Sequence, residues 1–170
     1  MSEDVFDIEL DLTWANNSAV EKIDITFNPN IQLQGTPGLL PVDAGVPHEW
    51  KDVLGFRIGG QYNVIPDLLA LRLGGFFESK GVDDQYLNLD FHMAERIGVG
   101  GGATLRLSRF DISLAYQHTY YGSLDNGGQG LVKAVSGDAT TGDYRTRQAV
   151  NGGRATKSLD EIALGATVHF

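Results

Sequence analysis

Apolar and polar residues alternate with a period of two along most of this 170-residue chain. Such alternation is typical of antiparallel β-strands that have one apolar and one polar face. Helical periodicity is nearly absent. Seven segments carry the pattern: 6–14, 22–28, 54–64, 69–78, 97–107, 110–120 and 161–170.

The segment lengths favour a membrane-spanning sheet over a soluble one. Several segments have about ten residues, which suits tilted strands that cross a bilayer in about 9–11 residues, whereas strands of soluble sheets usually have about 5–6. A transmembrane helix is excluded, because the longest apolar run, 68–71, has only four residues. The sequence therefore predicts an all-β fold, an antiparallel transmembrane β-barrel.

The connections between the predicted strands alternate in length. Tight turns are predicted at 15–18, 65–67 and 108–109, and long loops at about 35–50, 79–93 and 122–157. Outer-membrane barrels have short periplasmic turns and long extracellular loops. If the C-terminus is periplasmic, the first strand runs inward from the outer side. An even-stranded barrel would then need an odd number of further strands upstream.

The composition argues against several other classes of function. The chain has no cysteine and a formal net charge of −9, and its four histidines lack metal-ligand spacing. No Lys/Arg cluster provides a footprint for nucleic acid. The glycines at 98–102 lie within an alternating strand and not between a strand and a helix, as a nucleotide loop requires. We expect no enzyme activity, no cofactor, no metal and no nucleic-acid partner.

The polar face carries charges of both signs, which indicates a wet or salt-bridged interior. Its charges can simply satisfy one another in a closed interior, or some can line a path for a solute. The lumen-lining transport candidates are Arg57, Arg72, Phe76, Glu78, Arg106 and Gln117.

Aromatic residues lie near the ends of the predicted strands on the apolar face. Aromatic rings favour membrane interfaces because they combine an apolar body with a polar edge. We expect Trp14 beside a short turn, as for Tyr62, Phe110 and Phe170, with Phe6 at the opposite rim. The candidate interface anchors are Trp14, Tyr62, Phe110, Tyr120 and Phe170. The alternative is that these rings form the core of a soluble β-barrel.

Several motifs resemble, in the same order, those of the FadL-type long-chain fatty acid and hydrocarbon transporters (OmpP1/FadL/TodX) of Gram-negative outer membranes. They are Leu-Thr-Trp-Ala-Asn-Asn-Ser at 12–18 with Ile-Asp-Ile-Thr-Phe at 23–27, Trp-Lys-Asp at 50–52 leading into 56–62, Pro66, Leu-Arg-Leu-Gly-Gly-Phe-Phe at 71–77, and the strands that include 97–102 and 114–117. The terminal Phe170 is similar to the signal read by the barrel assembly machinery.

The resemblance implies that residues 1–170 are the C-terminal part of one outer-membrane barrel domain, about seven strands of fourteen. It implies passive passage of long-chain fatty acids or other hydrophobic small molecules. The expected partners are outer-membrane lipid, the hydrophobic solute, the assembly machinery and an upstream barrel half. Two alternatives remain open, a small structural or adhesive barrel without transport and a soluble lipid-binding barrel.

Overall fold

The computed structural model describes residues 5–20, 22–26, 43–47, 49–133 and 148–170. Eight strands account for most of these residues, and the all-β antiparallel prediction is confirmed. No helix within the described ranges is long and apolar enough to cross a membrane. The strands are β1 Phe6–Ala15, β2 Lys22–Thr26, β3 Asp43–Pro47, β4 Val53–Ile65, β5 Leu69–Glu78, β6 Arg96–Leu107, β7 Phe110–Asp125 and β8 Arg154–Val168.

Six strands form one antiparallel sheet in the order β1-β4-β5-β6-β7-β8, and β2 pairs with β3 in a separate two-stranded sheet. The sheet therefore contains six of the seven predicted segments. The segment 22–28 contributes β2 and does not join the wall, and its last two residues lie outside the described ranges. β3 lies where a loop was predicted. β7 and β8 both extend into the predicted 122–157 loop, so their connection shortens to 126–153.

The partner of β1 corrects the predicted direction of the first strand. β1 pairs with β4 from Phe6 opposite Tyr62 to Ala15 opposite Val53. A long strand such as β4 can match all ten residues of β1 with both faces in phase, whereas β2 has only five residues. The 15–18 segment is consequently not a hairpin turn. β1 begins at the rim of tight turns, and an even-stranded barrel would need an even number of further strands.

The other two tight turns are confirmed. Ile65 pairs with Leu69, and Leu107 pairs with Phe110. Each turn contains a residue with positive φ, Asp67 at 58° and Ser108 at 55°. Asp tolerates this left-handed conformation better than most residues with a side chain, and such residues let a chain reverse direction within two or three positions.

The described parts of the connections 79–95 and 126–153 pack together with the end of β7 opposite the tight turns, and we call this unit the cap. Val82, Leu87, Ala94 and Leu124 form its small buried core. Asn151 fastens two connections together, because its Nδ2 donates to the carbonyl oxygens of Gln85 at 2.8 Å and Leu87 at 3.0 Å. The cap positions the ends of β5 to β8 that lie opposite the tight turns.

Two carboxylates in the connections carry hydrogen bonds that favour their charged forms. The pKa of Asp52 is lowered, chiefly by hydrogen bonds from Ser18, with a further one from the Trp14 indole at 3.0 Å. The pKa of Asp84 is lowered mainly by a hydrogen bond from Lys80. Asp52 thereby ties the start of β4 to the segment after β1. Asp84 also accepts from the backbone N–H of Asp125 at 3.2 Å, which ties its connection to the end of β7.

Candidate functional site on the polar face of the sheet

The strand register gathers the apolar residues of all six strands on one face and the polar residues on the other. We call a set of cross-strand partners a rung. One rung of the apolar face contains Leu12, Phe56, Phe77, Ile97, Tyr120 and Ser158. The neighbouring rung of the polar face contains Asp11, Arg57, Phe76, Gly98, Thr119 and Leu159.

The apolar face is exposed over its whole width. Leu12 is 85% exposed and Leu164 is 79% exposed, and they lie on the two edge strands. An apolar surface of this extent exceeds what soluble monomers leave open to water. The face therefore needs an apolar environment, and the polar face is the candidate site for a solute.

A three-residue ion cluster lies on the polar face near the cap. Glu78 accepts from Arg57 Nη2 at 3.2 Å and from Arg96 Nε at 2.7 Å, and it also accepts from Arg96 Nη2. The Glu78 side chain is only 12% exposed, whereas both guanidinium groups reach solvent. One carboxylate thus holds two cations, which leaves the cluster with a net positive charge on the polar face.

Phe76 adds an aromatic ring to this cluster. The Arg96 guanidinium lies 5.8 Å from the ring centroid, within the range of a cation–π contact. The ring lies over Gly98 in β6, where an added Cβ would be only 2.1 Å from a ring carbon. The absence of a side chain at Gly98 therefore leaves the space that the Phe76 ring occupies.

We expect Gly98→Ala to destabilise the folded protein by about 1–3 kcal/mol, because the new methyl group has to displace the Phe76 ring. Gly59→Ala is the matched control, since the nearest atom to its added Cβ is 3.9 Å away. Urea unfolding of the assembled barrel in lipid vesicles measures the effect of both substitutions. In a Phe76→Ala background the cost of Gly98→Ala should nearly vanish, and an unchanged cost would contradict the contact.

A groove of ≈ 630 Å³ crosses the polar face below the ion cluster. Its floor contains Gly59, Gly74 and Gly100, which are cross-strand partners and project no side chain. Arg72 and Gln117 line the groove, together with the carboxylates Asp7, Glu9 and Glu161. The groove therefore exposes bare backbone between polar walls.

Hydrogen bonds orient the polar groups in and beside the groove. Arg72 Nη1 donates to Thr104 Oγ1 at 2.6 Å, and Thr104 also bonds Ser113 at 2.8 Å. Gln117 Nε2 donates to Glu161 Oε2 at 3.0 Å. These bonds hold the long side chains of Arg72 and Gln117 close to the neighbouring strands, so the middle of the groove stays open.

The structure brings most of the predicted lumen residues together. Arg57, Phe76 and Glu78 form the ion cluster, and Arg72 and Gln117 line the groove. Arg106 is on the same face but lies at the tight-turn end, opposite Asp111. The placement of these residues is thus established, while their role in transport stays a prediction.

Sequence reasoning missed two cations on this face. Arg96 continues the alternation of β6 by one residue, so a longer segment would have included it. Lys157 lies 4.6 Å from the Tyr121 ring centroid and had been assigned to a loop. No alternation signals it, because its neighbours on the polar face of β8, Ala155 and Leu159, are apolar.

The predicted interface aromatics are exposed at the strand ends, but Trp14 lies at the other rim from the one expected. It is opposite Leu54 beside the long connections because β1 pairs with β4, and Phe6 lies beside Tyr62 at the tight-turn rim. Phe110 is also at the tight-turn rim, Tyr120 is nearer the cap, and Phe170 follows β8 with its side chain exposed. Their contact with lipid stays a prediction.

No group of three or more metal-ligating side chains occurs among the residues described in the structure. The polar face offers ion pairs, hydrogen bonds, the aromatic rings of Phe76 and Tyr121 and a glycine floor. Such a surface can bind and guide a solute without any covalent step.

No known family model and no curated protein matches the chain. A solved structure does, the crystal structure of a Pseudomonas aeruginosa FadL homologue, with a TM-score of 0.63 and 16% sequence identity. The match covers 100% of this chain and 34% of that one. The likeness is one of fold, and the chain spans about a third of the length of that protein.

Proposed function

We propose that this chain forms part of the wall of an outer-membrane β-barrel that lets hydrophobic small molecules, such as long-chain fatty acids or hydrocarbons, pass from the outside. The observation that carries the proposal is the pairing of a broad, exposed, mainly apolar face with a grooved polar face on the other side of the same sheet. The fold likeness to a FadL homologue supports it. The proposed location is the outer membrane of a Gram-negative bacterium.

The inner face offers a physical basis for such passage. The glycine floor lets an elongated solute approach the backbone closely, and Phe76 offers an apolar ring on the same face in the ion cluster beyond the groove. Removing alkyl groups from water contributes about 0.8 kcal/mol per CH₂. The cationic cluster of Arg57, Glu78 and Arg96 can hold an acidic headgroup near the cap.

Assembly into the membrane is part of the proposal. Phe170 follows β8 by two residues and continues its apolar alternation, and its ring is exposed. We propose that the barrel assembly machinery binds this terminal strand. An upstream barrel segment is the proposed partner along the free edges of the sheet.

Solute uptake across vesicles or cells that contain the assembled barrel tests the function. We expect Gly59→Trp to fill the groove floor and to lower uptake of labelled palmitate or hexadecane several-fold. Leu73→Trp, on the apolar face of the neighbouring strand, is the matched control and should leave uptake unchanged. Failure of a correctly inserted barrel to accelerate uptake of either solute would contradict the proposal and favour a structural barrel.

A further inference from the structure

Three polar side chains stand together on the otherwise apolar face, where β7 pairs with β8. The Tyr116 hydroxyl donates to Asp160 Oδ1 at 2.6 Å, and His118 Nδ1 lies 2.8 Å from the same oxygen. The Asp160 side chain is 61% exposed. An ionisable group is costly in hydrocarbon and usually has a function there. The role of the network therefore depends on its depth in the membrane.

The upper border of the apolar band is oblique to the rungs. Leu10 in β1 and Asp160 in β8 lie on one rung. On this face β1 stays apolar four residues beyond that rung, as far as Trp14. The last apolar residue of β8 on the same face is Ile162, two residues before the rung. Between β1 and β8 the border thus moves by six residues toward the tight turns.

The lower border moves in the same direction. The apolar residues of β1 begin at Phe6, whose rung ends at Leu164 in β8. β8 remains apolar four residues further, to Val168. The band therefore keeps a similar height and slides along the strands as it crosses the sheet.

This displacement has the size expected for strands that cross a flat bilayer at an angle. Four to six residues at ~3.4 Å each, over five steps of ~4.8 Å between strands, correspond to a tilt of about 30–40°. Strands of membrane barrels tilt by about 35–45°. On a tilted sheet Asp160 is level with Trp14 at the membrane border, and it is not level with Leu10 in the hydrocarbon.

We infer that Tyr116, His118 and Asp160 form a lipid-headgroup site at the cap-side border of the membrane, in which the Asp160 carboxylate accepts from an N–H or O–H donor of a headgroup. Within the described residues both hydrogen bonds to Asp160 end on Oδ1, so Oδ2 is available to an external donor. Ser158, the next residue of β8 on this face, adds a hydroxyl above it. The inference rests on the proposed function only through membrane insertion.

Depth measurements in lipid vesicles test the placement, and the absence of cysteine from the chain makes single-cysteine labelling clean. Fluorophores on Leu10→Cys and Leu164→Cys should be quenched most by nitroxides at the bilayer centre. A fluorophore on Asp160→Cys should respond most to a headgroup nitroxide. The inference is overturned if Asp160→Cys behaves like Leu10→Cys while Leu164→Cys lies at the border. Absence of quenching at all three would instead contradict membrane insertion and the proposed function.

Headgroup chemistry is tested with the conservative variant Asp160→Asn. We expect vesicles with ethanolamine headgroups, compared with choline headgroups that lack N–H donors, to raise the unfolding midpoint of the wild-type protein more than that of the variant. Asp111→Asn, on the polar face, is the matched control and should follow the wild type. Equal headgroup dependence of the wild-type and Asp160→Asn proteins would overturn the assignment of a headgroup hydrogen-bond donor to Asp160.

Discussion

Leu114→Arg is expected to destabilise the membrane-inserted protein, reducing its free energy of unfolding by about 2–4 kcal/mol, because it places a guanidinium near the middle of the apolar band. Leu114 lies in β7 with its side chain 56% exposed on the apolar face. The band on β7 runs from Phe110 to Tyr120, so this position is close to its centre. Urea titration of the assembled barrel in vesicles, followed by tryptophan fluorescence, measures the loss.

Ala115→Arg is the matched control for this variant. Ala115 is the next residue of the same strand, lies on the polar face opposite Gly102 and Ala163, and is exposed. The added side chain can extend into the groove, so we expect a change below about 1 kcal/mol. Ala70, a polar-face alanine of β5, would not serve as such a control, because it is fully buried. Equal losses for the two arginine variants would reverse or abolish the assignment of the faces.

The second large effect concerns closure of the sheet. In the described part of the chain no strand pairs with the outer edge of β1 or of β8. Each unpaired backbone group in hydrocarbon costs several kcal/mol, so an open sheet of this kind is not stable in a bilayer. We expect the 170-residue chain by itself not to form a sealed, heat-modifiable monomer in detergent or vesicles.

Further strands that pair with the outer edges of β1 and β8 should allow folding. Addition of an upstream barrel half, or association of further copies, should produce β-sheet circular dichroism together with a heat-dependent shift in gel mobility. Analytical ultracentrifugation separates the two cases by mass. A sealed monomer in detergent would contradict the prediction, and folding in plain buffer without lipid would point to a soluble carrier.

The faces of the sheet could be derived from the sequence because side-chain direction in a strand alternates with each residue. That local property located β1 and the strands from β4 to β7, together with the tight turns at Asp67 and Ser108. It also placed Arg57, Arg72, Phe76 and Glu78 on one face. Their assembly into one site followed from hairpins whose register the tight turns set.

Only the tertiary structure decided which strand pairs with β1. The alternation within β1 is compatible with pairing to a strand near in sequence or to a distant one. The choice of partner depends on how many residues each candidate strand can pair with β1. β4 matches all ten residues of β1, and this choice carried Trp14 to the rim of the cap and reversed the predicted direction of the first strand.

The sequence by itself determined an antiparallel sheet with one apolar and one polar face, because those features depend on neighbouring residues alone. The tertiary structure decided the shared ion pairs of Glu78, the contact of Phe76 with Gly98 and the addition of Arg96 and Lys157 to the polar face. Apart from the Arg57–Glu78 pair within the β4–β5 hairpin, each of these depends on the register between strands that no tight turn joins, and no local sequence pattern sets that register.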